Sequence, residues 1–65
     1  MNLKPLEQEI RLATRSLEQA IEFEVASGYD IDATMDRKHC EGWAEALDYA
    51  YILLNGAAYH DEDND

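Results

Sequence analysis

The sequence predicts an all-α protein: an antiparallel two-helix hairpin that pairs with a second copy into a homodimeric four-helix bundle. Three observations predict this fold: two long segments with helical apolar spacing, one short connection rich in turn residues, and more apolar surface than one hairpin can cover. The chain has 65 residues, enough for one small domain with a small core. We assign residues 1–58 to the hairpin and expect 59–65 to form a disordered acidic tail.

The first helix is predicted over residues 5–27. Pro5 suits the first helical position, and Gly28 suits the left-handed position that follows a last turn. Between them, apolar residues recur at alternating spacings of three and four, which is typical of a helix that buries one stripe. Glu24 interrupts this pattern near its end. The stripe consists of Leu3, Leu6, Ile10, Ala13, Leu17 and Ala20, and Ile21 and Val25 are expected to continue it.

Residues 28–33 are predicted to form the linker and residues 34–55 the second helix. Asp30, Asp32 and Thr34 all suit the capping position at a helix N-terminus. This helix has a narrow polar face and a wide apolar arc, and the arc is the reason to expect a second copy. The polar face contains Arg37, Lys38, Glu41, Glu45 and Asp48. The apolar arc contains Met35, His39, Trp43, Ala46, Leu47, Tyr49, Ala50, Leu53 and Leu54.

The charge is strongly negative and unevenly distributed. Of the formal net charge of −10, residues 1–27 contribute −2 and residues 28–65 contribute −8. Such a field repels nucleic acid and anionic membranes and attracts basic protein surfaces, although acidity can also serve solubility alone. One cysteine excludes an internal disulfide and fits a reducing compartment. Without a stretch typical of a signal peptide or a membrane span, we expect a cytoplasmic protein that contacts neither nucleic acid directly nor membrane.

The stretch HCEGW concentrates reactive residue types at 39–43. His39 and Cys40 are adjacent, so on a helix they point about 100° apart and cannot close on one ion. Glu24 with Asp36-x-x-His39 resembles part of a helical di-iron site, but the two sets would lie at opposite ends of an antiparallel dimer. The simpler expectation is either a hydrogen bond between Glu24 and His39 or side chains that are partly exposed. Because no nucleophile, base and stabilising group converge, we predict a non-enzyme without a cofactor.

A ridge of small residues crosses the apolar arc. Gly42, Ala46 and Ala50 follow one another at spacings of four. Glycine inside a helix costs about 1 kcal/mol relative to alanine, so its presence needs a reason. Small residues let another helix approach closely, and we expect helix packing here, with Ala13 and Ala20 as the natural complement.

The linker region resembles the calcium loop of EF-hand proteins. Acidic or hydroxyl residues stand at positions 1, 3, 5, 7 and 12 of that loop, namely Asp30, Asp32, Thr34, Asp36 and Glu41. Met35 stands where the family has glycine, and Arg37 where it has an apolar residue. We therefore predict no metal site, and keep calcium or another metal as an alternative.

Two further resemblances concern function. In architecture the chain resembles the plasmid RNA-binding regulator Rop, but a first helix with three bases and five acids disfavours RNA binding. The stretch EGWAEALDYAYILL resembles the helical ends of small acidic bacteriophage proteins. Such proteins include anti-CRISPR and anti-restriction inhibitors, some of which present carboxylates where phosphates would sit. The resemblance implies a phage-encoded inhibitor of a host defence or nucleic-acid-binding complex.

We therefore expect a non-enzymatic protein–protein interaction module that binds a basic surface of a host complex. Alternatives from other classes are a small structural or regulatory dimer without mimicry, and the metal-binding helical protein already named. The acidic contact residues are predicted to be Asp30, Asp32, Asp36, Glu41, Glu45 and Asp48. The apolar anchors are predicted to be Phe23, Tyr51 and Ile52.

Overall fold

The computed structural model describes residues 1–59, which form two α-helices joined by a short turn. Helix α1 spans Lys4–Ala26 and helix α2 spans Ile31–Asn55. The two helices pack against each other as a hairpin, so the predicted all-α hairpin is confirmed. Residues 60–65, which make up nearly all of the predicted acidic tail, lie outside the described residues.

Helix α1 ends in a Schellman motif, in which backbone amides beyond the helix satisfy its last carbonyls. The Gly28 N–H donates to the Val25 carbonyl over 3.1 Å, and the Tyr29 N–H donates to the Glu24 carbonyl over 2.8 Å. Both donors have left-handed backbones, with φ of 71° at Gly28 and 64° at Tyr29. Glycine adopts this conformation freely, whereas an L-residue such as Tyr29 is strained by about 1–2 kcal/mol.

Helix α2 begins at Ile31, three residues before the predicted start at 34. Asp30 is the capping residue: its carboxylate accepts a hydrogen bond from the Asp32 N–H over 3.1 Å. Its carbonyl accepts from the Thr34 N–H over 2.9 Å, which closes the first helical turn. Of the three capping residues that the sequence allowed, the first in the chain therefore starts the helix, which leaves a turn of only residues 27–30.

The two helices meet along an inner seam. On α1 it contains the predicted stripe as far as Ala20, with Ile10, Ala13 and Ala20 buried, whereas Ile21 and Val25, which were expected to continue it, are exposed. On α2 a row of buried and half-buried residues again alternates at spacings of four and three, and most of it lies outside the predicted apolar arc. The row consists of Ala33, Arg37, Cys40, Ala44, Leu47 and Tyr51, and Thr34 and Ala50 are half-buried beside it. The prediction for α2 is thus corrected: most of its apolar arc faces away from α1, and Arg37 belongs to the inner seam.

The core of the single hairpin is small. Its buried apolar residues are Ile10, Ala13, Ala20, Ala33 and Tyr51. Large hydrophobic residues are exposed on both helices, so the single hairpin leaves much of its apolar surface uncovered. They include Leu12, Ile21, Phe23, Val25, Ile31, Met35, Trp43, Tyr49, Ile52, Leu53 and Leu54. No helix in residues 1–59 has the length and apolar content needed to cross a membrane.

Candidate protein-binding surface

An ion pair between the helices closes the turn end of the inner seam. Arg37 Nε donates to Glu24 Oε1 over 3.1 Å, and Arg37 Nη2 reaches Glu24 Oε2 at 3.5 Å. Hydrogen bonds from Thr34 and from Arg37 lower the pKa of the Glu24 carboxyl. The same contact with Glu24 raises the pKa of Arg37. Both charges are therefore held in their ionised forms, and for Glu24, which is only 5% exposed, the hydrogen bonds outweigh the opposing effect of burial.

Of the two simple expectations for Glu24 and His39, the hydrogen bond between them is wrong. His39 is exposed, and Glu24 is bound by Arg37 instead. The sequence contains a pattern that could have predicted this ion pair. Glu24 interrupts the buried stripe of α1 shortly before the turn, and Arg37 interrupts that of α2 shortly after it. Antiparallel helices bring two such positions to the same level.

A second polar cluster lies at the open end of the hairpin. The Tyr51 hydroxyl donates to Glu7 Oε2 over 3.0 Å, and Arg11 Nε donates to the Tyr59 hydroxyl oxygen over 2.9 Å. The Tyr51 and Tyr59 rings meet edge to face, with their centroids 5.5 Å apart. Burial, with the Glu7 contact second, raises the pKa of Tyr51.

This cluster corrects two predictions. Tyr51 was expected to be an apolar anchor for a partner, but it is only 6% exposed and lies in the inner seam. Tyr59 was expected to begin the acidic tail, but its ring and hydroxyl contact both helices. The other two predicted anchors, Phe23 and Ile52, are exposed on the surface.

Three acids of α2 form a continuous surface that we call the acidic strip: Glu41, Glu45 and Asp48. All three are exposed, and their spacings of four and three place them on one flank of the helix. Glu41 is partly neutralised, because Arg37 Nη1 donates to its Oε2 over 3.2 Å. Within residues 1–59, neither Glu45 nor Asp48 forms a hydrogen bond or an ion pair. The chain has no lysine or arginine after Lys38 to offset them.

The other predicted acidic contacts do not extend this strip. Asp30 is the cap of α2 and uses its carboxylate there. Asp36 and Glu45 are nine residues apart in one helix, so they lie about 180° apart around its axis. Asp32 shares the flank of Asp36. The six acids predicted to form one surface are therefore divided between two flanks and a cap.

The calcium loop that the sequence resembles is not formed. Eleven of its twelve positions, residues 31–41, are α-helical, and a helix spreads its side chains around the axis instead of converging them. Within residues 1–59 no three His, Cys, Asp or Glu side chains come together in an arrangement that could hold a metal ion. The alternative of a calcium-binding loop is thus contradicted by the local geometry.

The ridge of small residues does not pack within the chain. Gly42 and Ala46 are exposed, and only Ala50 is half-buried. Ala13 and Ala20, which were expected to be its complement, are buried in the inner seam on the other side of α2. The expectation of helix packing against the ridge therefore fails for α1 and stays a prediction for another chain.

Comparison with known proteins gives no guide to function, because no family model, curated protein or solved structure matches this chain. The candidate surfaces are therefore judged on their geometry and charge.

Proposed function

We propose that this protein is a non-enzymatic protein–protein interaction module whose acidic strip binds a basic surface on a partner. The observation that carries the proposal is the state of Glu45 and Asp48, which are exposed and unpaired within the described part of the chain. Carboxylates without local counterions attract a basic partner over a distance and increase its association rate.

The three residues of the acidic strip are not equally available to a partner. Glu45 and Asp48 are the residues with unpaired charge, and Glu41 is already bound to Arg37. Ile52 follows the strip on the same flank, at a spacing of four from Asp48, and is 42% exposed. A partner that pairs with the carboxylates can therefore also bury an apolar side chain, which a purely electrostatic contact would lack.

More specifically, we propose that the partner is a protein or complex that binds nucleic acid. A basic surface that binds phosphates also binds a row of carboxylates, so the strip would compete with nucleic acid for that surface. Inhibition of a host complex by a phage-encoded protein is one biological setting of such competition. The alternative is that acidity serves solubility only, and that a small structural dimer is the functional form.

The proposal is tested with a fluorescent lysine- and arginine-rich peptide as the basic probe. The variant Glu45→Lys with Asp48→Lys reverses the unpaired charges of the strip. The matched control, Glu18→Lys with Glu22→Lys, changes the net charge equally at exposed positions of α1. We expect probe affinity at low salt to fall more than tenfold for the strip variant and less than threefold for the control.

Equal losses in the two variants would mean that binding follows net charge alone, and would overturn the proposal in favour of the solubility function. The finer form is tested by adding a DNA duplex labelled with a second dye. We expect the wild-type protein to displace the probe from the duplex, and the strip variant to leave the complex intact.

A further inference from the structure

The face of α2 opposite the inner seam carries a second stripe with helical spacing. Its members are separated by four, three, four, three and four residues, the same alternation that the inner seam shows. All of them are exposed, and the larger side chains strongly so: Met35 and Tyr49 are 65% exposed and Leu53 is 66% exposed. We call this face the outer stripe: Met35, His39, Gly42, Ala46, Tyr49 and Leu53.

Glycine at position 42 serves no purpose within the hairpin. A Cβ built there would meet no atom within 4 Å. Its backbone is ordinary α-helix, so the conformational freedom of glycine is not used either. Glycine is one of the poorest helix formers, so Gly42 destabilises α2, and no contact within the hairpin compensates for this loss. A second helix lying against this point would make use of the missing side chain.

The outer stripe has a two-fold order along the chain. Position 44 is its centre, and the residues at equal distances on either side match in size. Met35 and Leu53 are long aliphatic residues nine positions from the centre. His39 and Tyr49 carry rings five positions away, and Gly42 and Ala46 are small and two positions away. A two-fold axis at this level places each residue against its counterpart at the same distance in the other copy, so these are the pairs that must fit together.

We propose that a second copy of this chain binds the outer stripe, with the two α2 helices antiparallel and the two-fold axis level with Ala44. In this arrangement Gly42 lies against Ala46 of the partner subunit at the centre. The rings of His39 and Tyr49 meet on either side of it, and Met35 packs with Leu53 at the ends. Small residues at the centre let the helix axes approach to about 8 Å, the close limit of helix packing.

The larger side chains of this face are well exposed. Met35, Tyr49 and Leu53 are 65%, 65% and 66% exposed, and the neighbouring Trp43 is 38% exposed. A contiguous exposed apolar patch of this kind marks a protein–protein interface. A hairpin with five buried apolar residues also needs further burial, since domains of this size rarely stand on one small core. Pairing through α2 supplies it and leaves α1 on the outside.

The charges predict how this pairing responds to salt. Each chain carries a net charge of −10, so two copies repel one another. Glu45 lies beside the outer stripe close to position 44, and near the two-fold axis it faces the same residue of the other copy. Added salt screens both repulsions, and self-association therefore becomes tighter as salt rises. Binding of a basic partner responds in the opposite direction. The pairing does not depend on the proposed function of the acidic strip.

Disulfide trapping tests the register directly. In a Cys40→Ala background, a chain with Met35→Cys is mixed with a chain with Leu53→Cys and oxidised mildly. We expect a linked dimer that contains one chain of each kind. Two copies of Met35→Cys alone are the control, because antiparallel pairing holds these positions about 27 Å apart. Self-linking of that control at the same rate would indicate a parallel pair, and absence of the mixed dimer would exclude the antiparallel one; either result overturns the proposal.

Sedimentation equilibrium tests the centre of the interface. Gly42→Glu places a carboxylate where the helices approach, in a position that is open in the single hairpin. Gln19→Glu makes the same charge change at an exposed position of α1. We expect the dimer dissociation constant to rise at least 100-fold for Gly42→Glu and less than threefold for the control. A wild-type chain that sediments as a monomer at 1 mM in 0.5 M salt, or equal effects of the two substitutions, would overturn the proposal.

Discussion

Glu24 organises the turn end of the molecule through both its backbone and its side chain. Its carbonyl accepts hydrogen bonds from the Tyr29 N–H at 2.8 Å and from the Ser27 hydroxyl at 3.0 Å. Its carboxylate binds Arg37 across the inner seam at 3.1 Å. One buried acid thus joins the end of α1, the turn and the beginning of α2. A buried charge of this kind is stable only while its partners are present.

We expect Glu24→Gln to lower the thermal midpoint of unfolding, because Arg37 keeps its charge in a half-buried position and loses the buried one of its two carboxylate partners. The control is Glu22→Gln, which removes the same charge from an exposed position on α1. Circular dichroism at 222 nm follows both transitions. A midpoint that falls equally in the two variants would show that the ion pair adds nothing to stability.

The direction of the Glu24 pKa shift fixes its pH dependence. The folded state lowers the pKa below the ordinary value of 4.5, so the unfolded chain binds the proton more tightly. Its contribution to stability is therefore complete above pH 4.5 and is lost as the pH falls through the folded pKa. Urea unfolding of the wild type and of Glu24→Gln should differ most above pH 5 and converge in acid. A difference that grows on acidification would contradict this assignment.

Tyr51 responds to pH in the opposite sense. Its pKa is raised above the ordinary value of 10.0, chiefly by burial, so its contribution is complete below pH 10 and is lost as the pH rises through the folded pKa. We expect Tyr51→Phe to reduce the loss of stability between pH 9 and pH 12. Tyr29→Phe, at an exposed position in the turn, is the matched control and should leave this loss unchanged.

At the scale of the element, α1 could be predicted from the sequence almost completely, whereas the orientation of α2 could not. A single apolar stripe defines the buried face of α1, and only one face fits it. Helix α2 carries two stripes with the same spacing on opposite faces, so a hydrophobicity pattern alone does not select the inner one. The inner seam includes Arg37, a residue that a hydrophobicity pattern assigns to solvent. Its burial depends on Glu24, and therefore on the register between the helices.

The acidic strip could likewise be predicted only in part from the sequence. The acids of α2 were visible in the sequence, and their division into two flanks follows from 100° of rotation per residue. What the sequence could not show is which acids are already used: Asp30 as a cap and Glu41 as a partner of Arg37. These contacts depend on where α2 begins and which face it turns inward. The unpaired members of the acidic strip, Glu45 and Asp48, can be named only after both are known.

The start of α2 can be tested at its cap. Asp30→Ala removes the hydrogen bond to the Asp32 N–H, and we expect a loss of about 1 kcal/mol in the free energy of unfolding. Asp36→Ala, at an exposed position inside the helix, should cost much less. Urea unfolding measures both values. If the helix started at residue 34 instead, Asp30→Ala would have no more effect than the control.

At the scale of the whole molecule, the two proposed contacts use different faces of α2 and can occur together. Antiparallel pairing about the two-fold axis places the acidic strips of both copies on the same side of the bundle. A dimer would then present two strips to one partner, which increases the effective concentration of the second contact. The surface available to a basic partner is thus larger than one chain suggests.

Salt separates these two contacts in one titration. Between 0.05 and 0.5 M NaCl we expect affinity for the basic probe peptide to fall and the affinity of the chains for each other to rise. The first follows from attraction between opposite charges, and the second from repulsion between chains of charge −10. Fluorescence anisotropy of the probe and sedimentation of the protein measure the two processes. Parallel changes in both would mean that one of the two contacts is assigned wrongly.

The tyrosine cluster at the open end has a consequence for how the hairpin opens. Two helices joined only by a turn would separate like a zipper, with backbone amides far from the turn exchanging with solvent first. Here side-chain contacts hold both ends of the hairpin. At the open end Tyr51 binds Glu7 and Tyr59 binds Arg11, and at the turn end Glu24 binds Arg37. With both ends fastened, separation from one end is suppressed. Hydrogen exchange should therefore be uniform along the inner seam, with the helices parting in a single cooperative step.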